Sequence, residues 1–291
     1  MSQGGQRRAG TLRAEPARSG PEGCRSRVLP VIHRLFLPCV LLLLAACASA
    51  PPPAKPPVNP DALWGIVQRD CRLQGPPQGS CVAVNPQAGR RDVVLKDSHG
   101  QYQYLLLPLD RVTGIESPLL MRTDAPNYFA AAWQERWRTA QALGRPLPRE
   151  VTSLALNSPH GRSQHQLHIH VDCLRADVLA QLQRMGPGIQ TRWQPLPEPL
   201  RGHRYQARRV AGEALTVDPV RLLASELAGV QDLGQWSLVV AGAHASDGSP
   251  GFLLLATQLD AAQGNDASGE ELQDHACAAV TGAQDALDGV R

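Results

Sequence analysis

Gln164-His-Gln-Leu-His-Ile-His-Val-Asp-Cys173, preceded by Asn157-Ser-Pro-His-Gly-Arg-Ser163, is the stretch on which the reading of this chain turns. Polar and apolar residues alternate along it with period two. That predicts a strand with Gln166, His168 and His170 on one face and Leu167, Ile169 and Val171 on the other. Val151 to Leu156 upstream is also strand-like, and Ser158-Pro-His-Gly161 supplies turn residues, so the two segments are expected to pair as an antiparallel hairpin. Imidazoles on alternate residues of a strand can share one substrate. Three chemistries fit the pattern. His168 attacks phosphorus while His170 and turn N–H groups stabilise charge; or His-x-His binds a metal completed by a further ligand; or the face is a solvated polar one. The residues alone leave all three open.

Working outward, the 291 residues and 43% hydrophobic content allow a packed core of one large or two small domains. The net charge of +3 is misleading. Residues 1–34 hold seven Arg against Glu15 and Glu22, so the remainder carries −2. Such a body has no general electrostatic reason to bind nucleic acid. Residues 35–46 form an apolar run behind His33-Arg34 with the layout of a secretory signal, short for a membrane span. The run ends in Leu44-Ala45-Ala46-Cys47, which resembles a bacterial lipoprotein box with Cys47 as the lipidated residue; an uncleaved N-terminal anchor is the alternative. Residues 1–47 are therefore read as a signal region and the Pro-rich 48–60 as an extended tether. This layout predicts a membrane-anchored protein facing the periplasm. In that oxidising compartment Cys71, Cys81, Cys173 and Cys277 form an even set, with Cys71–Cys81 and Cys173–Cys277 the favoured pairs.

In the body, Asn59-Pro60 opens a helix to about Leu73, and Val93–Leu95 with Tyr102–Leu107 predict a hairpin. Phe129, Trp133, Trp137 and Ala140 recur at helical spacing between Pro126 and Leu143, with Gly144 as the stop, and the tryptophans are read as core. A short helix follows at Arg175–Arg184, then a Pro-rich connector over 186–199. Further on come a helix opening at Asp218-Pro219, strands near Trp236–Ala241 and Phe252–Thr257, and a C-terminal helix with Ser268 and Glu271 in capping-box register. A weak echo relates the hairpin at Val93–Leu107 to that at Val239–Leu255. It divides the domain 61–291 into an N-terminal catalytic half, about 61–185, and a C-terminal half, about 200–291.

The pattern Asn, Gly, then x-φ-His-φ-His-φ resembles the histidine-triad superfamily of nucleotide hydrolases and transferases. More specifically, the body is similar to the bacterial CDP-diacylglycerol pyrophosphatase family. The residues that carry this include Val-Val-Leu-Lys-Asp97, Gly-Ile-Glu-Ser-Pro-Leu-Leu120, Ser-Leu-Ala-Leu-Asn-Ser158, Leu-His-Ile-His170, Arg-Gly-His203, Leu-Ala-Thr-Gln258 and Leu-Gln-Asp-His275. The resemblance implies an α+β fold, with a histidine-triad-like antiparallel sheet, flanking helices and two halves forming a pseudo-dimer in one chain. It implies hydrolysis of CDP-diacylglycerol, a membrane lipid, to CMP and phosphatidate through a nucleotidyl-histidine, with no metal or other cofactor required. His168 then corresponds to the nucleophile, His170 to the phosphoryl-binding histidine, and Asn157 and Ser163 to ribose or phosphate contacts. Arg162 in the adjacent turn, Lys96 and the pair Arg208-Arg209 are candidates to balance pyrophosphate charge. Gln166 stands at the first triad position, where the superfamily has histidine; it can hydrogen-bond but not carry a proton. Two rival readings remain, a hydrolase of soluble nucleotides or nucleotide sugars and a non-catalytic lipoprotein that binds metal or nucleotide.

Overall fold

The protein is seen in a computed structural model that describes residues 59–282. The leader with Cys47 and the tether as far as residue 58 lie outside the described residues. Nine strands form one antiparallel sheet: β1 (Cys81–Asn85), β2 (Asp92–Lys96), β3 (Tyr104–Pro108), β4 (Thr152–Leu156), β5 (Ile169–Cys173), β6 (Gln194–Pro195), β7 (Gln206–Ala211), β8 (Trp236–His244) and β9 (Pro250–Gln258). Their order across the sheet is β1-β2-β3-β5-β4-β8-β9-β7-β6. The α-helices are α1 (Ala62–Asp70), α2 (Tyr128–Glu135), α3 (Trp137–Leu143), α4 (Ala176–Met185), α5 (Pro219–Leu223) and α6 (Ala278–Thr281). The protein is thus α+β, with a sheet that continues through both parts of the chain. Among the described residues no helix is long and apolar enough to cross a membrane.

Paired residues on neighbouring strands point to the same face, so register alone sorts the sheet into two sides. Leu95, Leu105, His170, Ala155, Val239, Leu255 and Ala207 lie directly opposite one another in succession. The other face holds Val94, Leu106, Ile169, Leu154, Val240 and Leu254 in the large core beneath α2 and α5. On the histidine face the apolar cover is split. Val67 of α1 packs with Val93, Leu95, Leu105 and Leu107, whereas Val178 and Leu182 of α4 pack over Ala155, Val239 and Leu255. The histidine strand runs between these two clusters, which leaves its polar face a gap rather than a core.

Several local expectations hold for the predicted reasons. Asp218 caps α5 by accepting from Val220 N and Arg221 N, and Gly144 ends α3 in the left-handed region at φ 67°. Both disulfides form as favoured, Cys71–Cys81 and Cys173–Cys277, with Cα separations of 5.6 and 5.3 Å.

Others differ. The helix expected over 126–143 breaks at Arg136, whose guanidinium bonds Trp133 O and lies over the Trp133 ring. The break turns Trp137 outward, 49% exposed with Arg138 stacked on it, so only Trp133 is core. The capping box at Ser268 does not form, because the Glu271 carboxylate is taken by Tyr205 Oη and His203 Nδ1. In its place is a single turn, Gly269–Leu272, with the short α6 further on. Outward from the β4–β8 seam the order reads β4-β5-β3-β2-β1 on one side and β8-β9-β7-β6 on the other.

Candidate active site

Strand β5 begins only at Ile169, and a twelve-residue excursion separates it from β4. The cause is competition for the backbone of the expected strand. His165 N donates to Pro60 O and Leu167 N to Val112 O, while Gln166 Nε2 donates to Pro108 O and Asp110 O. This segment is drawn towards the end of β3 instead of pairing with β4. Alternation of faces nevertheless persists: Leu167 enters the core, and the His168 and His170 rings lie together with centroids 4.9 Å apart.

The two imidazoles sit in a cleft of about 850 Å³ whose lining includes Leu63 and Ile66 of α1, Asn157, Arg162, Ser163 and Glu270. His168 Nδ1 is 2.7 Å from Gln166 O. A carbonyl only accepts, so Nδ1 carries the proton and Nε2 keeps its lone pair. Burial, and then the neighbouring His170, push the His168 pKa down to about 4. This imidazole stays neutral over the physiological range and is fixed in one tautomer. His170 presents Nδ1 to Glu270 Oε1 at 3.2 Å and to the Gln103 amide at 2.5 Å, and its buried Nε2 has no partner among the described residues. The Gln103 atom nearest Nδ1 is Nε2, and Oε1 is buried without a partner among the described residues; with Nδ1 protonated towards Glu270, the amide is turned so that its oxygen accepts.

Glu270 is itself held in place. Asn157 Oδ1 accepts from Glu270 N and Asn157 Nδ2 donates to Glu270 Oε2 at 3.2 Å. Burial works to raise the Glu270 pKa, but His170, His275 and the Asn157 hydrogen bond outweigh it and keep the carboxyl below its usual range.

The remaining predicted residues divide. Arg162 lines the cleft, but its guanidinium is paired through two bonds to Glu116 at 2.6 and 2.9 Å. Ser163 is exposed on the rim. Lys96 is not in the cleft: its ammonium donates to Asp97 O, Gly100 O and Gln103 O, closing the turn that delivers Gln103 to His170. Gln166 is fully buried and committed to backbone carbonyls. Arg208 pairs with Glu226, and Arg209 bonds the carbonyls of Gly186 and His244, both away from the histidines. Among the described residues the only cluster of three potential metal-ligating groups is Asp172, Cys173 and Cys277, two of which form a disulfide.

Comparison with known proteins gives the family of the chain. Residues 58–281 match the family described as CDP-diacylglycerol pyrophosphatase. The chain belongs to that family. A CDP-diacylglycerol pyrophosphatase of Yersinia pestis is 42% identical over 225 residues, covering 75% of this chain and 84% of that protein.

In this member of the CDP-diacylglycerol pyrophosphatase family, four residues that the sequence reading did not single out stand in contact with the histidines or behind them: Gln103, Asp172, Glu270 and His275. Asp172 was open to discovery, since it follows His170 by two on the same strand and must share its face. Glu270 and His275 arrive from a hundred residues away, yet the favoured Cys173–Cys277 pair already implied that the chain before Cys277 lies beside β5.

A prediction attaches to Arg162. A Cβ on Gly114 would stand 2.3–2.7 Å from the Arg162 guanidinium. Gly114→Ala is therefore expected to unseat the Arg162–Glu116 pair, cost about 2 kcal/mol and lower Tm by roughly 4–8 °C in a thermal melt. An unchanged Tm would mean that Arg162 is not held by this packing.

Proposed function

We propose that the protein hydrolyses the pyrophosphate bond of CDP-diacylglycerol, releasing CMP and phosphatidate, with His168 as nucleophile. The observation that carries the reading is the His168 Nδ1 to Gln166 O hydrogen bond, which leaves an unprotonated Nε2 beside a cleft large enough for a nucleotide. In the first step Nε2 forms a bond to the cytidylyl phosphorus and the bond to the phosphatidate oxygen breaks. Phosphatidate leaves as an acidic phosphate and needs little protonation, so Gln166 in place of a first histidine is tolerable. In the second step water attacks the nucleotidyl-His168, its proton passes to His170 Nε2, and CMP departs as the His168 lone pair is restored. The Glu270 carboxylate, 3.2 Å from His170 Nδ1, favours a proton on that nitrogen and so the tautomer that makes Nε2 a base.

The reading extends to a histidine-triad-like arrangement in which one chain supplies both halves, supported by the matching strand order on either side of the β4–β8 seam. In the second half Leu255 stands in the row that His170 occupies in the first, so a single site is expected. It also includes anchoring through Cys47 on the periplasmic side, which would raise the encounter rate with a substrate that stays in the bilayer.

The test is release of CMP from CDP-diacylglycerol in detergent micelles by the full chain, with water-soluble cytidine diphosphate esters alongside. Turnover of the lipid supports the proposal; turnover of the soluble esters alone moves the assignment to soluble nucleotides, and turnover of neither removes the hydrolase reading.

The pH dependence follows with its sign. A histidine at the ordinary value of 6.5 would be only about 3% neutral at pH 5, whereas one at about 4 is about 90% neutral. kcat/KM for CMP release is expected to be nearly level from pH 7 to 5 and to fall below that, with a midpoint near 4. A midpoint near 6.5 would show that His168 is not desolvated as described.

A further inference from the structure

Behind the catalytic pair a part-buried line of charge continues past Glu270 to two groups that the steps above do not use, His275 and Asp172. Asp172 is fully buried and its Oδ2 is 2.6 Å from His275 Nδ1. The other nitrogen of that ring, Nε2, lies 3.7 Å from Glu270 Oε1, the same oxygen that stands 3.2 Å from His170 Nδ1. Carboxylate and imidazole alternate from Asp172 through His275 and Glu270 to His170. We propose that His275, held by Asp172, is a positioning residue for the hydrolytic step: it braces the Glu270 carboxylate that fixes the tautomer of His170. The inference rests on the two-step reading proposed above.

Three features aim His275 rather than merely bury it. The Cys173–Cys277 disulfide joins the residue after Asp172 to the second residue after His275. Gln273 Nε2 donates to Ser153 Oγ at 2.9 Å and to His170 O at 3.3 Å, so the chain just before His275 is stitched onto both strands of the histidine hairpin. The turn closed by Lys96 packs on the other side, where a Cβ at Gly100 would be 2.6 Å from His275 Cβ. At 3.7 Å the contact with Glu270 is too long for a hydrogen bond and acts as a close ion pair when His275 is protonated. Burial pushes the Asp172 pKa up to about 6 against the pull of His275, so this carboxylate is kept at a cost that an apolar pair would avoid. A structural staple would not need the second nitrogen to face the carboxylate that touches His170.

The two steps separate in kinetics. Loss of the brace slows attack by water and leaves attack by His168 alone. In His275→Ala, kcat for CMP release is expected to fall about 10- to 100-fold, the usual effect of losing an outer partner of an active-site group. KM should fall in parallel, so that kcat/KM is unchanged and phosphatidate appears in a burst equal to the enzyme present. Asp172→Asn, which keeps the shape of the site, is expected to show the same pattern more weakly, and it decides the matter if His275→Ala does not fold. Wild-type kinetics in a folded variant, or a kcat/KM that falls with kcat, would overturn the proposal. Failure of the parent reading is distinguishable, because there His168→Ala would itself still release CMP.

Discussion

His168→Ala is expected to lower CMP release from CDP-diacylglycerol by about 10⁴-fold or more, the scale seen when a covalent nucleophile is removed. The neighbours have other tasks, His170 Nε2 being the base for water in the second step. His170 has Nδ1 engaged by Glu270 and Gln103, and Gln166 is buried with its amide on two carbonyls. The fold should survive the change, since among the described residues the His168 side chain makes one hydrogen bond, to the nearby Gln166 carbonyl. Tm should therefore stay within a few degrees of the parent. A variant that melts normally and has lost turnover locates the defect in chemistry; one that retains turnover would transfer the nucleophile's role elsewhere.

The second large effect is on stability. Removing the Cys173–Cys277 bridge by the double change Cys173→Ala, Cys277→Ala opens a loop with a sequence separation of 104. The chain-entropy argument then gives a loss of about 5 kcal/mol and a Tm lower by roughly 10–20 °C. The bridge Cys71–Cys81 spans only 10 residues and should be worth about 3 kcal/mol by the same argument. The two differ in function as well. Cys173–Cys277 fastens the segment bearing His275 to β5, so its loss should also slow turnover below the melting range. Cys71–Cys81 ties the end of α1 to β1 in a different apolar cluster, that of Val67, Val93 and Leu105. Thermal melts and initial rates of the two disulfide variants, measured side by side, check both statements. Equal losses of Tm would contradict the loop-length account.

How far the sequence could be read depends on which forces set each part. The strands β2, β3, β8 and β9 are built on runs of Val and Leu and β4 on Leu-Ala-Leu, and both their positions and their hairpins were legible because the signal is local. The histidine face was legible too, since period-two alternation survives even where the ladder is not formed. What was not legible was set by partners distant in sequence. The start of β5 is moved to Ile169 by bonds from His165, Gln166 and Leu167 to the chain near Pro60, Pro108 and Val112. Lys96 carries an ordinary charge in the sequence, yet three carbonyls of a turn claim it. Glu271 was in register to cap a helix, but a buried Tyr205 hydroxyl and His203 offered its carboxylate more. The order of the sheet is a matter of long-range pairing, which local runs of Val and Leu do not encode.

The central claim is that a nucleotide becomes covalently attached to His168. Full-length His275→Ala, in which resolution of the adduct is expected to be slow, would be mixed with CDP-diacylglycerol, quenched in base, where phosphohistidine bonds persist, and examined by intact-mass and peptide mass spectrometry. A mass increase of one cytidylyl group on the peptide containing His168, absent when His168 is also replaced by Ala, is the predicted result. Turnover without any such adduct at any time point would contradict the covalent account and leave water as the direct nucleophile.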